Sequence, residues 1–355
     1  MRAWIPGGVL FACIWGCAVN SSNAPVKWAL AIHGGAGVIE RASMTRENEA
    51  AYRAALSSAL ETGAKILSDG GSALDTVEST IRLMEDDPLF NAGRGAVFTA
   101  AGRNELDASI MDGSNLSAGA VTGVTRARHP ITVARTVMEK SPHVMLAGEG
   151  ADSFAKDQGL ELVDPSFFFT ERRWQELEET LRKRGEPIPA RPAGAPKPQA
   201  AMPRGPLDEH EFGTVGVVAL DSHGNLAAGT STGGTTGKRW GRVGDSPIIG
   251  AGTYASNQSC AVSGTGVGEF FIRLTVAREI CTLVQYQNYS VQQAADEVIQ
   301  NRLNALKGTG GVIVISPKGD IAWSFNTSGM YRASTAAGIP SRIAMLLARE
   351  NVRFY

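Results

Sequence analysis

The sequence predicts an α+β fold in which antiparallel sheets are covered by helices, and three observations carry that expectation. Helical spacing dominates as far as Pro88, a proline-rich break follows from about Arg182 to Glu211, and beyond it the figure of strand, glycine turn and strand occurs twice with two helical stretches between. Strands and helices in separate blocks disfavour a doubly wound parallel sheet, which needs regular alternation.

Trp28 to Ile32 is a short apolar run that stops at His33-Gly34-Gly35-Ala36-Gly37, the pattern of a buried strand entering a tight glycine turn. From Thr45, the residues Tyr52, Ala55, Leu56, Ala59, Leu60, Gly63, Ala64 and Leu67 keep helical spacing until Gly70-Gly71. Ser72 and Asp75 form a capping-box pattern for a second helix through Leu74, Val77 and Ile81, stopped before Pro88. Leu116 to Val124 is small, apolar and β-compatible, and Ile131 to Met138 reads as a helix ending before Pro142.

Seven prolines between Pro187 and Pro206 then exclude a packed element, so the segment from about 182 to 211 reads as a long flexible connection. Val215 to Leu220 and Leu226 to Thr230 flank the turn Asp221-Ser222-His223-Gly224-Asn225, a strong hairpin signal. Val312 to Ile315 and Ile321 to Phe325 repeat it around Pro317-Lys318-Gly319-Asp320, and helical patterns fill Phe270 to Val284 and Val291 to Leu306.

Composition narrows the function classes. The 355 residues are 43% hydrophobic and 19% charged, enough apolar surface for one large or two small cores. A formal net charge of -1 leaves no excess of Lys and Arg to neutralise phosphates, which argues against a nucleic-acid partner.

The N-terminus departs from this average. Arg2, Ile5 and the apolar stretch Val9 to Val19, ending at Asn20-Ser21-Ser22, read as a secretory signal peptide over residues 1–24. A membrane-spanning helix would need about 20 apolar residues. Ile14-Trp15-Gly16-Cys17 resembles a bacterial lipoprotein cleavage box, with Cys17 as the lipid-bearing residue and sole membrane anchor; simple cleavage between Ala18 and Ala24 is the alternative. Both predict export to the periplasm or cell envelope. Cys13 and Cys17 belong to this leader, so Cys260 and Cys281 remain, either bridged or as two small buried thiols. No CxxC pair or His cluster has zinc spacing, and no cofactor is expected for catalysis.

Two glycine-rich stretches invite a phosphate reading and fail on spacing. Gly233-Gly234-Thr235-Thr236-Gly237-Lys238-Arg239 is one residue short of a P-loop and has Arg239 where Ser or Thr is needed, and Gly264-Thr265-Gly266-Val267-Gly268-Glu269 lacks the third glycine of GxGxxG. The second stretch does offer backbone N–H groups at the start of the Phe270 helix, suited to a negative oxygen. The remaining feature is Gly213-Thr214-Val215-Gly216, where the proline-rich segment meets a buried strand.

Gly213-Thr214 occurs in one order with Asn91-Ala92-Gly93-Arg94-Gly95-Ala96-Val97-Phe98, Glu105-Leu106-Asp107-Ala108-Ser109-Ile110-Met111-Asp112-Gly113, Thr230-Ser231-Thr232-Gly233-Gly234, Gly241-Arg242-Val243-Gly244-Asp245-Ser246-Pro247 and Ser263-Gly264-Thr265-Gly266. Together these resemble the plant-type, or type 2, L-asparaginase and isoaspartyl peptidase family of N-terminal-nucleophile hydrolases, over about Ala29 to Gly338. The resemblance implies a four-layer αββα sandwich. It also implies self-cleavage between Gly213 and Thr214 into an α chain (25–213) and a β chain (214–355) that form one domain, and a dimer of such αβ units.

The chemistry is physically sensible. A threonine hydroxyl needs a base, and an N-terminal threonine carries one in its own α-amine, whose reference pKa is about 7.7–8.0. The resemblance makes Thr214 the nucleophile, supported by Thr232 and by Asn91 from the α chain, with Thr265 and the Gly266 N–H as oxyanion donors. It makes Arg242 the clamp on a substrate α-carboxylate and Asp245 the partner of the α-ammonium, within a pocket of Val243, Gly244, Thr265, Gly266, Val267 and Gly268. The implied substrates are L-asparagine and β-aspartyl dipeptides, releasing aspartate. A structural sodium ion would sit on the carbonyls of Met84, Glu85, Asp87, Phe90, Ala92 and Arg94. His33 reads as a structural histidine rather than the base. Phe212-Gly213 stands before Thr214 where the related glycosylasparaginases have His-Asp before the threonine, which disfavours glycoasparagine; a non-catalytic envelope binding protein is the reading from another class.

Overall fold

The computed structural model describes Met1 and residues 28–37, 44–196 and 213–346. The leader beyond Met1, with Cys17, and the part of the proline-rich segment from 197 to 212 lie outside the described residues.

Strand β1 (Ala29–Gly37) is buried along its whole length. It runs on through the glycines that the sequence reading assigned to a turn: Gly35 takes φ 111° and a bulge between His33 and Ala36 absorbs the irregularity. Helix α1 (Arg46–Ser68) starts at Thr45, whose hydroxyl accepts the Asn48 N–H, and α2 (Ala73–Asp86) starts at Ser72 in the same way with Asp75. These caps satisfy N–H groups that the first turn of a helix leaves unpaired.

The larger sheet has eight strands. Around β1 lie β11 (Gly329–Ala336) and β12 (Ile339–Leu346) on one side. On the other side follow β5 (Val215–Leu220), β6 (Leu226–Thr232), β2 (Leu106–Asp112), β3 (Ala118–Val124) and β4 (Met145–Ala147). Strands from before and after Gly213-Thr214 therefore alternate across one sheet. The smaller sheet runs β10 (Ile321–Phe325), β9 (Gly310–Ile315), β8 (Ala261–Gly266) and β7 (Thr253–Ala255). Every strand pair is antiparallel except β3 with the edge strand β4, which corrects the expectation of two wholly antiparallel sheets. Helix α3 (Pro130–Lys140) lies between these two strands and returns the chain in the same direction, as a parallel pairing requires.

Three apolar clusters separate four layers. Side chains alternate faces along a strand, so Leu30 and Ile32 pack under α1 and α2 with Leu56, Leu60, Val77 and Ile81. Ala29 and Ala31 face the other way and meet Val218, Leu220, Ala261, Ile313 and Ile315 between the sheets. Val262, Val312 and Val314 carry the outer helices of the small sheet through Phe271, Ile280, Leu283 and Val298. The fold is thus the αββα sandwich.

The outer helices depart from the expected pair. Thr275, at φ 47°, splits the first into α6 (Gly268–Leu274) and α7 (Val276–Gln287), and α8 (Val291–Asp296) continues as a π-helix to Leu303. Two further helices, α4 (Gly148–Asp157) and α5 (Glu171–Lys183), precede the proline-rich segment. Its described start, to Pro196, is held against the protein. Arg191 donates to both oxygens of Glu171 at 2.9 and 2.7 Å and lies over the Phe169 and Trp174 rings. A disulfide joins Cys260, before β8, to Cys281 in α7. No helix among the described residues is long and apolar enough to cross a membrane.

Candidate active site

Thr214 immediately precedes β5, and the β5–β6 register, Val215 opposite Ser231, brings it beside Thr232 at the end of β6. Its hydroxyl donates to the Thr232 hydroxyl at 2.9 Å, which also accepts the Gly234 N–H at 3.1 Å. Both threonines are buried. The Gly213 carbonyl, one atom from the Thr214 nitrogen, accepts the Asn91 N–H at 2.9 Å. Asn91 is fully engaged: its Nδ2 donates to the Gly234 carbonyl at 2.7 Å, its Oδ1 accepts the Val97 N–H at 3.0 Å, and its carbonyl accepts the Gly233 N–H at 3.0 Å.

Arg173 was missed from sequence. It is buried on α5, donates to the Gly95 carbonyl at 2.8 Å and to Glu176 at 2.9 Å, and its Nη2 lies 3.5 Å from where a Cβ on Gly213 would stand. Its charge is thus paired with a buried carboxylate close to the Gly213-Thr214 step.

The second group comprises Arg242, Asp245 and Gly268. A Cβ on Gly268 would meet the Asp245 Oδ1 at 2.9 Å and the Arg242 Nη2 at 3.0 Å, so only glycine lets the two side chains converge there. Gly244 lies against the Arg242 Nη1 in the same manner, while Val243 is exposed on the rim. Asp245 is buried, its Oδ2 has no hydrogen-bond donor among the described residues, and desolvation pushes its carboxyl up to about 7. Arg242 is not free, which sequence reasoning did not anticipate. Its Nε and Nη2 both donate to Glu269 at 3.0 Å, and this pairing holds the Glu269 carboxyl below its usual range. Glu269 sat in view as the last residue of the rejected GxGxxG stretch. A guanidinium next to a carboxylate oxygen that lacks a donor has the polarity of an amino-acid head group reversed.

Thr265 lies on the other sheet, on β8, with its hydroxyl at 3.4 Å from the Ala36 N–H. Gly266 and Val267 follow it into α6. Two residues back, the Ser263 hydroxyl lies 3.0 Å from the His33 Nε2, and the His33 Nδ1 lies 3.1 Å from the Thr214 carbonyl. Burial lowers the His33 pKa to about 3, partly offset by that carbonyl bond, so the ring is neutral and unsuited to be the base.

The loop after α2 has the donor chemistry of a hard-cation site. Met84 would bond its carbonyl to the nitrogen of Pro88, which bears no hydrogen, and Glu85 to the Leu89 N–H, which instead meets the Asp87 Oδ1 at 2.9 Å. Arg172 donates to the Pro88 and Leu89 carbonyls of the same loop at 3.1 and 2.9 Å. Of the carbonyls expected to hold sodium, that of Asp87 accepts the Phe90 N–H at 3.3 Å and that of Ala92 the Gly95 N–H at 3.1 Å. A cleft of about 460 Å³ lies elsewhere, lined by Arg103, Glu186, Lys238 and Trp240, and includes neither threonine.

With that geometry in view, known proteins resemble the chain closely. It is 52% identical over 313 residues to the isoaspartyl peptidase of Escherichia coli, covering 88% of this chain and 94% of that protein. The isoaspartyl peptidase of Salmonella typhimurium is 50% identical over 315 residues, 88% and 96% of the two chains. The human isoaspartyl peptidase/L-asparaginase is 41% identical over 305 residues, 86% and 92%. The asparaginase family matches residues 26–343, and the chain belongs to that family.

Proposed function

We propose that the chain cuts itself between Gly213 and Thr214 and then hydrolyses the side-chain amide of L-asparagine and the β-aspartyl bond of isoaspartyl dipeptides, releasing L-aspartate. The observation that carries this reading is the threonine pair, 2.9 Å apart, beside a Gly213 carbonyl already held by the Asn91 N–H. In self-cleavage the Thr214 Oγ1 attacks the Gly213 carbonyl carbon and gives up its proton. The C–N bond breaks and the nitrogen leaves as the amine, giving an ester. The Asn91 N–H stabilises the intermediate oxyanion. Water then hydrolyses the ester into α chain 25–213 and β chain 214–355.

In turnover the new α-amine takes the Oγ1 proton and Oγ1 attacks the substrate amide. Thr265 and the Gly266 N–H stabilise the oxyanion, nitrogen leaves as ammonia or the amine of the second residue, and water releases aspartate. Arg242 receives the α-carboxylate alongside Glu269. The donor-free Oδ2 of Asp245 receives the α-ammonium, which restores to that buried carboxylate the partner it lacks. Val243, Gly244, Val267 and Gly268 form the wall around this head group. A sodium ion on the carbonyls of Met84, Glu85, Asp87, Phe90, Ala92 and Arg94 would brace the loop that carries Asn91 and take no part in the chemistry.

The leader pattern supports export to a bacterial periplasm or envelope, either with lipidation at Cys17 or with simple cleavage between Ala18 and Ala24. A dimer of αβ units is what the resemblance of the linked motifs implies.

Intact mass of purified protein should show two fragments, the second beginning at Thr214, and Thr214→Ala should give one uncut chain without turnover. A wild-type chain that stays uncut and inactive would sink the proposal. Comparing β-aspartyl-leucine, asparagine and N-acetylglucosaminyl-asparagine ranks the substrates, and a preference for the last would point instead to glycosylasparaginase activity.

A further inference from the structure

One buried chain of polar side chains lies beneath the site. His33 on β1, Ser109 on β2, Thr230 on β6, Thr253 on β7 and Ser263 on β8 are all 0% exposed. Four contacts cross between the sheets: Ser263 to His33 at 3.0 Å, Ser263 to Thr230 at 2.7 Å, Thr253 to Thr230 at 2.6 Å and Ser109 to Thr253 at 2.8 Å. At one end His33 meets the Thr214 carbonyl at 3.1 Å; at the other Ser109 meets the carbonyl of Ser246, next to Asp245, at 2.6 Å.

The proton directions follow from the ends. The Thr214 carbonyl can only accept, so the proton of the neutral imidazole is on Nδ1 and Nε2 must accept from Ser263. Ser263 then accepts from Thr230, and Thr230 from Thr253, so successive donors point toward Thr214 and strengthen one another. Only the Ser109 proton is shared, between Thr253 and the Ser246 carbonyl. The approach of Thr230 to the Gly252 carbonyl, 3.2 Å, is left without a proton.

Sequence has made room for this chain at a definite place. A Cβ on Gly216 would collide with both the Ser263 hydroxyl and the His33 Nε2, which accounts for the second glycine of Gly213-Thr214-Val215-Gly216. The spacing also matters. Ser263 and Thr265 share one face of β8, and Thr230 and Thr232 one face of β6, because side chains on a strand repeat every second residue. The chain thus runs one row below the threonines assigned to the site and ties together the two sheets that carry them.

We propose that this buried chain is the positioning device of the site: it sets the peptide plane from which Thr214 projects, the gap between the Thr232 and Thr265 strands, and the backbone beside Asp245. The inference rests on Thr214 being the nucleophile. Once Gly213 is cut away, Thr214 is held by the chain on one side only. The bond from His33 then helps fix where its amine and hydroxyl point. None of the five residues exchanges a proton with substrate, so they act through Thr214 and not on the reacting atoms.

The test uses the purified full-length protein, with kcat, KM, self-cleavage rate, Tm and a pH profile read on the folded fraction. Thr253→Val is isosteric, removes the central proton and lies two side chains from His33; Ser263→Ala breaks the chain next to it. Each should lower kcat on β-aspartyl-leucine about 10- to 100-fold and slow self-cleavage, as loss of one buried hydrogen bond implies. The pH at half-maximal kcat should stay at the wild-type value, and Thr253→Ser should recover to within about threefold of wild type. Ile280→Val, in the outer helix layer, serves as a control that lowers Tm and leaves kcat unchanged.

Variants that lose Tm but keep kcat and cleavage rate overturn the proposal, as does a Thr253→Ser no better than Thr253→Val. If wild type neither cleaves itself nor hydrolyses any aspartyl amide, the underlying reading fails and this one with it. If wild type is active and the variants match it, only this inference fails.

Discussion

The two halves of the site differ in how complete they are. Around Thr214 the described polar groups have partners: hydroxyl on hydroxyl, the Gly213 carbonyl on Asn91, and Asn91 itself on the Gly233-Gly234 turn. Around Asp245 a buried carboxyl oxygen has none, and an arginine beside it is steadied by a half-exposed glutamate. The first half is already assembled in the uncut chain, as a reaction on its own backbone requires. The second lacks a cation, as a receptor for an external ammonium would.

Asp245→Asn should break that contrast most sharply. Self-cleavage should proceed at the wild-type rate, while kcat/KM for asparagine falls about 100-fold or more, the scale for removing one member of a buried charge pair. Wild-type affinity for L-aspartate, measured by calorimetry on the cleaved enzyme, should weaken as pH falls through about 7, because the protonated carboxyl no longer attracts ammonium. Equal damage to cleavage and turnover would mean that the halves are not separable.

Glu85 sharpens the comparison from the other side. It too is a buried carboxyl with an oxygen lacking a partner, and burial pushes it up to about 8 despite bonds from Ser231 and Ile131. It is sealed beneath β6 with no arginine fork beside it. The folded chain keeps this proton up to about pH 8, whereas the unfolded chain releases it near 4.5. Stability therefore falls as pH rises between those values. Glu85→Gln should flatten that slope in denaturant titrations and leave aspartate affinity unchanged; altered affinity would show that the oxygen serves the ligand.

The smallest effect is expected at Glu269→Gln. Its carboxyl is 56% exposed, so weakening the pair with Arg242 should raise KM only about two- to fivefold, with kcat unchanged. A loss of kcat instead would place Glu269 closer to the reacting atoms than its exposure implies.

The linked motifs named the candidate site residues and, through the family resemblance, the four layers; local pattern supplied the hairpin after Thr214 and the capped helices. It missed what depends on partners far along the chain. His33 is the structural histidine the sequence suggested, but nothing local reveals its partner Ser263, whose hydroxyl comes from the other sheet. Glu269 was passed over inside a failed phosphate motif, since its meaning lies in Arg242, 27 residues away. The glycines after His33 read as a turn because a bulge inside a buried strand has the same composition. Prolines argued for a free linker, yet Arg191 and the aromatic pair beneath it hold the start of that segment down.

The order of strands in the large sheet carries a further consequence. Because β1 lies between β5 and β11, and β2 beside β6, the fragments on either side of the Gly213–Thr214 bond are laced through one another by backbone hydrogen bonds. Cutting the bond leaves the native state whole but changes the molecularity of folding. The uncut chain refolds as a unimolecular reaction; the cut enzyme, once unfolded, must find its other fragment in solution. Its melting temperature should then depend more steeply on concentration than that of an uncut Thr214→Ala chain, which has one fragment fewer to reassemble, and the cut form would endure by resisting unfolding rather than by refolding.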